Sequence, residues 1–131
     1  MVEHQNASSA YRTAYETNMS GMEIVAELYK GIIKNLEEAK RHYKAEKLDE
    51  MCNVNEKTNK ILIALQSHLN MEEGGEASQF LNTFYNGIFA KLTRILSNDD
   101  VVAAYDEIIE NVKPVYKIWC EHAANQAKPA S

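Results

Sequence analysis

Four stretches of the chain carry apolar residues at intervals of three and four positions, which is the period of a helix that buries one face. The four sets are Val25, Leu28, Ile32, Leu36, Ala39 and Tyr43; Leu48, Met51, Asn55, Thr58, Leu62, Leu65 and Leu69; Ala77, Leu81, Phe84, Ile88, Leu92 and Ile95; and Val101, Tyr105, Ile108, Val112, Val115 and Trp119. Asn55 and Thr58 are polar members of the second set, and we predict that they fix the register of the helices. No stretch has the alternating pattern of a strand that competes with these four helices.

The segments between the four stretches are short and carry the signals that end and begin helices. Ser20 and Glu23 form a capping box before the first helix, and the charged residues 44–47 separate it from the second. Gly74–Gly75 is predicted to end the second helix, and residues 97–100 form a turn and a cap before the fourth. Because short links make neighbouring helices antiparallel, the sequence predicts an all-α fold, an antiparallel up-down-up-down four-helix bundle.

The 131 residues suffice for one such bundle with additional segments at both ends. We expect a mobile N-terminal arm over residues 1–19, the four-helix bundle over 20–124, and a loose C-terminal tail over 125–131. Tyr11 and Tyr15 lie four residues apart in the otherwise polar arm. That spacing would bring both rings to one side of a helical turn, where they could dock on the bundle.

Composition excludes several classes of function. The net charge of −5 disfavours nucleic acid and anionic membrane surfaces, both of which attract basic proteins. No apolar run approaches the roughly 18 residues of a membrane span, and the polar start lacks the pattern of a secretory signal. Cys52 and Cys120 form no disulfide framework and no CxxC motif. The sequence therefore predicts a cytoplasmic protein with no nucleic-acid partner and no membrane insertion.

Motifs for catalysis or metal binding are missing from the sequence. A di-iron bundle needs Glu-x-x-His on two helices, and this spacing does not occur. Glu38 and His42 lie four residues apart, but the neighbouring apolar positions claim the buried face, so we predict that both face solvent. No serine sits in a nucleophile elbow, and Gly74–Gly75 lacks the remainder of a phosphate-binding loop. We expect no enzyme, no metal and no cofactor; a metal-carrying redox bundle is the disfavoured alternative.

Apolar residues beyond the four sets are the candidates for binding a partner. Some of them could instead widen the buried stripe of a helix, which spans about three residues in seven. Taken together they exceed that stripe, and Ile63 and Phe89 in particular point away from the neighbouring sets. The predicted partner-binding residues are Tyr11, Tyr15, Ile24, Tyr29, Ile61, Ile63, Phe80, Tyr85 and Phe89.

Two longer motifs resemble a known family. Residues 20–31, SGMEIVAELYKG, look like the first-helix signature of the flagellar secretion chaperone family FliS. Residues 69–77, LNMEEGGEA, are similar to its second and more specific motif, and residues 10–12 resemble its arm element. Tyr85 follows at the spacing of the family, and Trp119 lies where a tryptophan of the fourth helix is usual. The match runs from about residue 10 to residue 123.

The resemblance implies a cytoplasmic export chaperone. Such a protein binds the disordered C-terminal segment of flagellin, prevents premature polymerisation and delivers its cargo to the cytoplasmic domain of the flagellar export gate. Carried onto this chain, Tyr11 is the arm contact, and grooves between the helices are the cargo track. The chain departs from the family pattern at Gly21, Glu27, Lys30 and Ala77, and of these Glu27 and Lys30 could alter the partner surface.

Two alternatives stay open at the level of the sequence. A helical adaptor for another secreted or regulatory protein would show the same bundle and the same surplus of apolar residues. A homodimer is also compatible with the sequence, because bundles with mobile arms can exchange segments between copies.

Overall fold

The computed structural model describes residues 21–69 and 75–127, and all the regular structure in these two ranges is helical. The helices are α1 (Gly21–Lys44), α2 (Leu48–Ser67), α3 (Gly75–Thr93) and α4 (Val101–Ala127), with a 3-10 turn at Ile95–Ser97. The predicted all-α four-helix bundle is confirmed.

Contacts between α1 and α4 show the direction of the helices. Lys40, near the end of α1, donates a hydrogen bond of 2.7 Å to Asp106, near the start of α4. The ring of Tyr29, in the first half of α1, lies 6.2 Å from that of Trp119 in the second half of α4. The two helices are therefore antiparallel, and the bundle runs up-down-up-down.

Helix α1 is the central element of the bundle. It packs along both α2 and α4, whereas α3 makes fewer close backbone contacts with its neighbours. The core is formed by Leu28, Tyr29, Ile32, Leu36, Ala39, Met51, Val54, Ile61, Leu62, Leu65, Tyr85, Ile88, Leu92, Ile95, Val101, Tyr105, Ile108, Ile109 and Val112. Since α1 faces three helices, its buried face is wider than the stripe that the sequence pattern predicts.

Polar side chains inside the core connect helices that are not neighbours in the chain. The hydroxyl of Tyr105 donates to Oδ1 of Asn55 over 3.0 Å, which joins α4 to α2. The hydroxyl of Tyr29 donates to that of Tyr85 over 2.8 Å, which joins α1 to α3. Thr58 is fully buried and its hydroxyl lies 3.3 Å from the carbonyl oxygen of Val54. The predicted inward position of Asn55 and Thr58 is confirmed, and hydrogen bonding is what makes their burial possible.

Several helix ends differ from the sequence prediction. Helix α2 ends at Ser67, before Gly74–Gly75, because its last turn tightens: the amides of His68 and Leu69 bond to carbonyls three residues back. Gly75 has a φ of 57° and stands at the start of α3, so its left-handed conformation begins a helix rather than ending one. Helix α4 continues to Ala127, three residues into the predicted tail.

The cap before α4 was predicted correctly. A side-chain oxygen of Asp100 accepts a hydrogen bond of 2.9 Å from the amide of Ala103, which satisfies one of the free amides of the first turn. Ser20, the predicted cap of α1, lies outside the described residues.

Two of the predicted core sets contain errors. In α3, Ala77 is exposed and Leu81 only half-buried, whereas Ser78 and Tyr85 are buried in their place. On this side of α3, Tyr85 accepts the hydrogen bond from Tyr29 of α1. In α2, Leu48, the first residue of the helix, is 45 % exposed.

Candidate protein-binding surface

Besides the core residues Tyr85, Ile88 and Leu92, polar side chains at both edges of α3 join it to its neighbours. Nε2 of Gln66 on α2 donates to Oδ1 of Asn82 over 3.2 Å and to Oδ1 of Asn86 over 2.7 Å. On the other side, Nζ of Lys91 lies 3.5 Å from Oε1 of Glu107 on α4. These contacts hold α3 in place without closing the space between it and α4.

A groove of about 310 Å³ lies between α3 and α4, and we call it the α3–α4 groove. It is lined by Phe80, Thr83, Phe84, Gly87, Ile88 and Lys91 of α3 and by Ile108, Asn111 and Val115 of α4. Phe80 is 60 % exposed, and its ring stacks on that of Phe84 with a centroid distance of 6.1 Å. Gly87 leaves open space at the groove, since a Cβ atom there would meet no other atom within 4 Å. The groove thus combines exposed aromatic surface with room for a close approach.

A second cavity, of about 230 Å³, continues the groove towards the turn between α3 and α4; we call it the terminal pocket. Lys91 and Ile108 line both cavities, so the two adjoin each other. The terminal pocket is further lined by Arg94, Ile95, Ser97 and Asn98 at the end of α3 and by Ala104 and Glu107 of α4. Its walls are more polar than those of the groove.

Two exposed apolar residues lie on the opposite edge of α3, where it meets α2. Ile63 is 60 % exposed and Phe89 is 47 % exposed. Ile63 precedes Gln66 by three residues and Phe89 follows Asn86 by three, and Gln66 bonds to Asn86. Because α2 and α3 are antiparallel, the direction from Gln66 to Ile63 and the direction from Asn86 to Phe89 point towards the same end of the bundle. Ile63 and Phe89 therefore lie at about the same level, and we call them the α2–α3 patch.

A third cavity, of about 330 Å³, lies between α1 and α2 and has a different character. Its rim carries Glu27, Lys34, Glu38 and Lys57. At its floor the helices approach closely: a Cβ atom on Gly31 would lie 3.2 Å from Cδ1 of Ile61. With mixed charges and a tightly packed floor, this cavity offers little apolar surface to a partner.

The structure divides the predicted partner-binding residues into three groups. Ile63, Phe80 and Phe89 are exposed and lie on the surfaces described above. Ile24 is half-buried, and Tyr29, Ile61 and Tyr85 lie in the core, so they have almost no accessible surface. Tyr11 and Tyr15 lie outside the described residues.

The sequence did not point to three residues of the groove, Phe84, Gly87 and Val115. Phe84 and Val115 belong to the predicted core sets, but both are only half-buried. The signal that could have found the groove is the pair Phe80 and Phe84, two aromatic residues one helical turn apart.

Few ionisable side chains of the described residues have a clearly shifted pKa. Within 21–69 and 75–127, no three His, Cys, Asp or Glu side chains are grouped so that they could hold a metal ion. Nε2 of His42 lies 3.6 Å from Oε1 of Glu38, one turn earlier on α1. Hydrogen bonds to Asp106 and Glu37 raise the pKa of Lys40. Burial raises the pKa of Tyr29 and raises that of Tyr105 to about 12. No helix in the described part of the chain is long and apolar enough to cross a bilayer.

A helical bundle with exposed aromatic grooves belongs to the class of proteins that bind other polypeptides. A family model described as "Flagellar protein FliS" matches residues 4–127, nearly the whole chain. The chain belongs to the FliS family of flagellar chaperones, and the resemblance found in the sequence motifs is confirmed. No curated protein matches the chain.

Proposed function

We propose that this protein is a cytoplasmic export chaperone that binds the disordered C-terminal segment of flagellin. By covering this segment it prevents premature polymerisation, and it then delivers the cargo to the cytoplasmic domain of the flagellar export gate. Membership of the FliS family supports the proposal at the level of the class. The observation that carries it is the exposure of phenylalanines on both edges of α3.

The α3–α4 groove suits an amphipathic helix as its occupant. Phe80 and Phe84 offer a stacked aromatic surface on one side, and Ile108 and Val115 line the other. The free energy falls when such surface is removed from water, and a ligand helix covers it with side chains spaced three and four residues apart. A segment that is disordered alone can therefore become ordered as a helix in this groove.

The α2–α3 patch supplies the additional area that such a ligand needs. Ordering a disordered segment costs several kcal/mol, so the interface must be larger than one short groove. Ile63 and Phe89 lie across α3 from the groove and add apolar surface there. A cargo segment that crosses α3 would contact both surfaces.

Calorimetric titration of the full chain with a synthetic peptide of the flagellin C-terminal segment tests this function. We expect binding with a clearly negative heat-capacity change, because apolar surface is buried, and with only weak dependence on salt. Absence of binding would rule the proposal out, as would binding that moderate salt abolishes without a heat-capacity change. If a pull-down then recovered a different secreted protein, the adaptor alternative would replace it.

Charge substitutions test whether the interface lies on α3. Phe80→Glu and Phe89→Glu should each weaken binding by at least about tenfold, since an aromatic anchor in the interface is replaced by a hydrated charge. Leu48→Glu is the matched control: its exposure resembles that of Phe89, but it lies at the start of α2, away from α3. Thermal unfolding should be nearly unchanged in all three variants. Equal weakening by Leu48→Glu would place the interface elsewhere.

A further inference from the structure

The α3–α4 groove is closed at one end by the chain itself. The two helices that form its walls are consecutive, and residues 94–100 connect them beyond the terminal pocket. A polypeptide that follows the groove in this direction must therefore either end at the pocket or leave the surface of the bundle. A pocket at the closed end of a groove is suited to bind the end of a polypeptide.

The terminal pocket is lined by two cations and one acid, Glu107, on a protein whose net charge is −5. Lys91 and Arg94 both line it. Lys91 is 3.5 Å from Glu107, but among the described residues no carboxylate oxygen lies within 4 Å of the guanidinium group of Arg94. Arg94 thus presents hydrogen-bond donors and a charge that the described fold does not use.

The acceptors and acids near Arg94 are engaged elsewhere or face solvent. Nδ2 of Asn98 donates to the carbonyl oxygens of Arg94 and Ile95, which fixes the turn. Asp100 accepts the amide of Ala103 at the start of α4, and the neighbouring Asp99 is exposed. The turn is therefore held in shape by its own hydrogen bonds, independently of the side chain of Arg94.

We propose that the terminal pocket binds the free C-terminal carboxylate of the polypeptide that lies in the α3–α4 groove, with Arg94 as the principal cation. The inference rests on the proposed function, which makes the cargo a C-terminal segment. A guanidinium group forms two parallel hydrogen bonds with a carboxylate, and such charge-assisted bonds are stronger than neutral ones. The pocket then sets the direction of the cargo: its last residue lies at the α3–α4 turn, and the preceding residues run towards Phe80.

The test compares two synthetic peptides of the flagellin C-terminal segment, one with a free carboxylate and one with a C-terminal amide. Affinities for the full chain are measured by fluorescence anisotropy at low ionic strength. The free acid should bind about three- to tenfold more tightly, because the amide lacks the charge that pairs with Arg94. Arg94→Gln should abolish this difference. Arg41→Gln, which removes the same group from an exposed position on α1, should preserve it.

Each result bears on a different level of the proposal. If both peptides bind the parent equally, the carboxylate site is wrong and the proposed function stands. If Arg94→Gln weakens both peptides to the same extent, an acidic side chain of the cargo is the ligand and the inference is overturned. If neither peptide binds, the proposed function fails, and the inference fails with it.

Cross-linking provides a measurement that does not depend on a variant. A photoreactive group on the last residue of the free-acid peptide should label residues 94–100 of the parent chain. Labelling near Phe80 instead would reverse the direction of the cargo and overturn the inference.

Discussion

Tyr105 and Asn55 form the hydrogen bond that joins α4 to α2 inside the core. Tyr105 has no accessible surface, and its burial raises the pKa of the hydroxyl to about 12. In the unfolded chain the same hydroxyl titrates near 10.0. The folded state therefore keeps this proton at a pH at which the unfolded state releases it, so that this residue couples stability to pH.

Tyr105→Phe should remove part of the alkaline pH dependence of stability. In the parent, the stabilisation from Tyr105 is complete below about pH 10 and is lost as the pH rises through about 12, because the unfolded state then binds fewer protons. Urea unfolding over this range should show a shallower decline in the variant. At neutral pH the variant should lose about 1–3 kcal/mol, because Asn55 keeps a buried acceptor without its donor.

The control for this measurement is Tyr43→Phe, which removes a hydroxyl from a half-buried ring on α1. If Tyr105→Phe and the parent lost stability in parallel between pH 10 and pH 12, the pKa of Tyr105 would not differ between the folded and unfolded states.

Residue by residue, the sequence predicted burial better than exposure. Ile63, Phe80 and Phe89 were predicted as partner residues and are indeed exposed, whereas Tyr29, Ile61 and Tyr85 lie in the core. Both groups consist of isoleucine and aromatic residues, so residue type could not separate them. The hydroxyl groups of Tyr29 and Tyr85 can be buried because they form a hydrogen bond with each other. This bond joins residues 56 positions apart in the chain.

At the level of elements, α3 is the least firmly held helix. Its contacts with α2 include the hydrogen bonds of Gln66. Two turns before Gln66 on α2, Oδ1 of Asn59 is buried and has no hydrogen-bond partner in the described part of the chain. Such an atom lowers the stability of the packing around it. Helix α1, by contrast, packs along both α2 and α4.

Native-state hydrogen exchange should therefore detect opening of α3 at a lower free energy than opening of α1. Regions with fewer buried contacts open locally before the whole molecule unfolds. Adding the flagellin peptide should slow exchange in α3 more than in α1, which already lies at the centre of the bundle. Equal opening free energies for α1 and α3 in the free protein would show that the bundle opens only as a unit.

Helical periodicity did not determine which face of α3 is buried. The sets 77, 81, 84, 88 and 78, 81, 85, 88 both have helical spacing, and they differ by part of a turn about the helix axis. The sequence favoured the first because Ala77 and Phe84 are more apolar than Ser78 and Tyr85. The structure is closer to the second: Ser78, Tyr85 and Ile88 are buried, Leu81 is half-buried, and Tyr85 bonds to Tyr29 of α1. In α1 and α4 most positions of the predicted sets are buried, and the additional buried residues Tyr29 and Ile109 lie next to them.

At the scale of the whole molecule, the bundle and the N-terminal segment have separate predicted roles. The fold class followed from four apolar sets and short links, which only a bundle satisfies with so few turns. The role of residues 1–19 stays a prediction, because it depends on contacts outside the described residues.

Tyr11→Ala tests whether the predicted docking of this N-terminal segment on the bundle also regulates cargo binding. The variant should keep the helical content of the parent, because the core is formed by residues of α1 to α4. It should nevertheless change the affinity for the flagellin peptide or the amount of flagellin exported by cells. Circular dichroism, calorimetry and an export assay measure these three properties. If binding and export both matched the parent, Tyr11 would have no regulatory role.

The central position of α1 also bears on how the protein is made. Lys40 and Asp106, which join α1 to α4, are 66 residues apart, and Trp119 covers part of Tyr29 from still further along the chain. During synthesis α1 and α2 leave the ribosome early and can pair, but the side of α1 that faces α4 stays in water until the last helix emerges. Exposed apolar surface of this kind makes incomplete chains prone to aggregate. A protein proposed to cover the apolar surface of its cargo thus exposes its own for most of its synthesis.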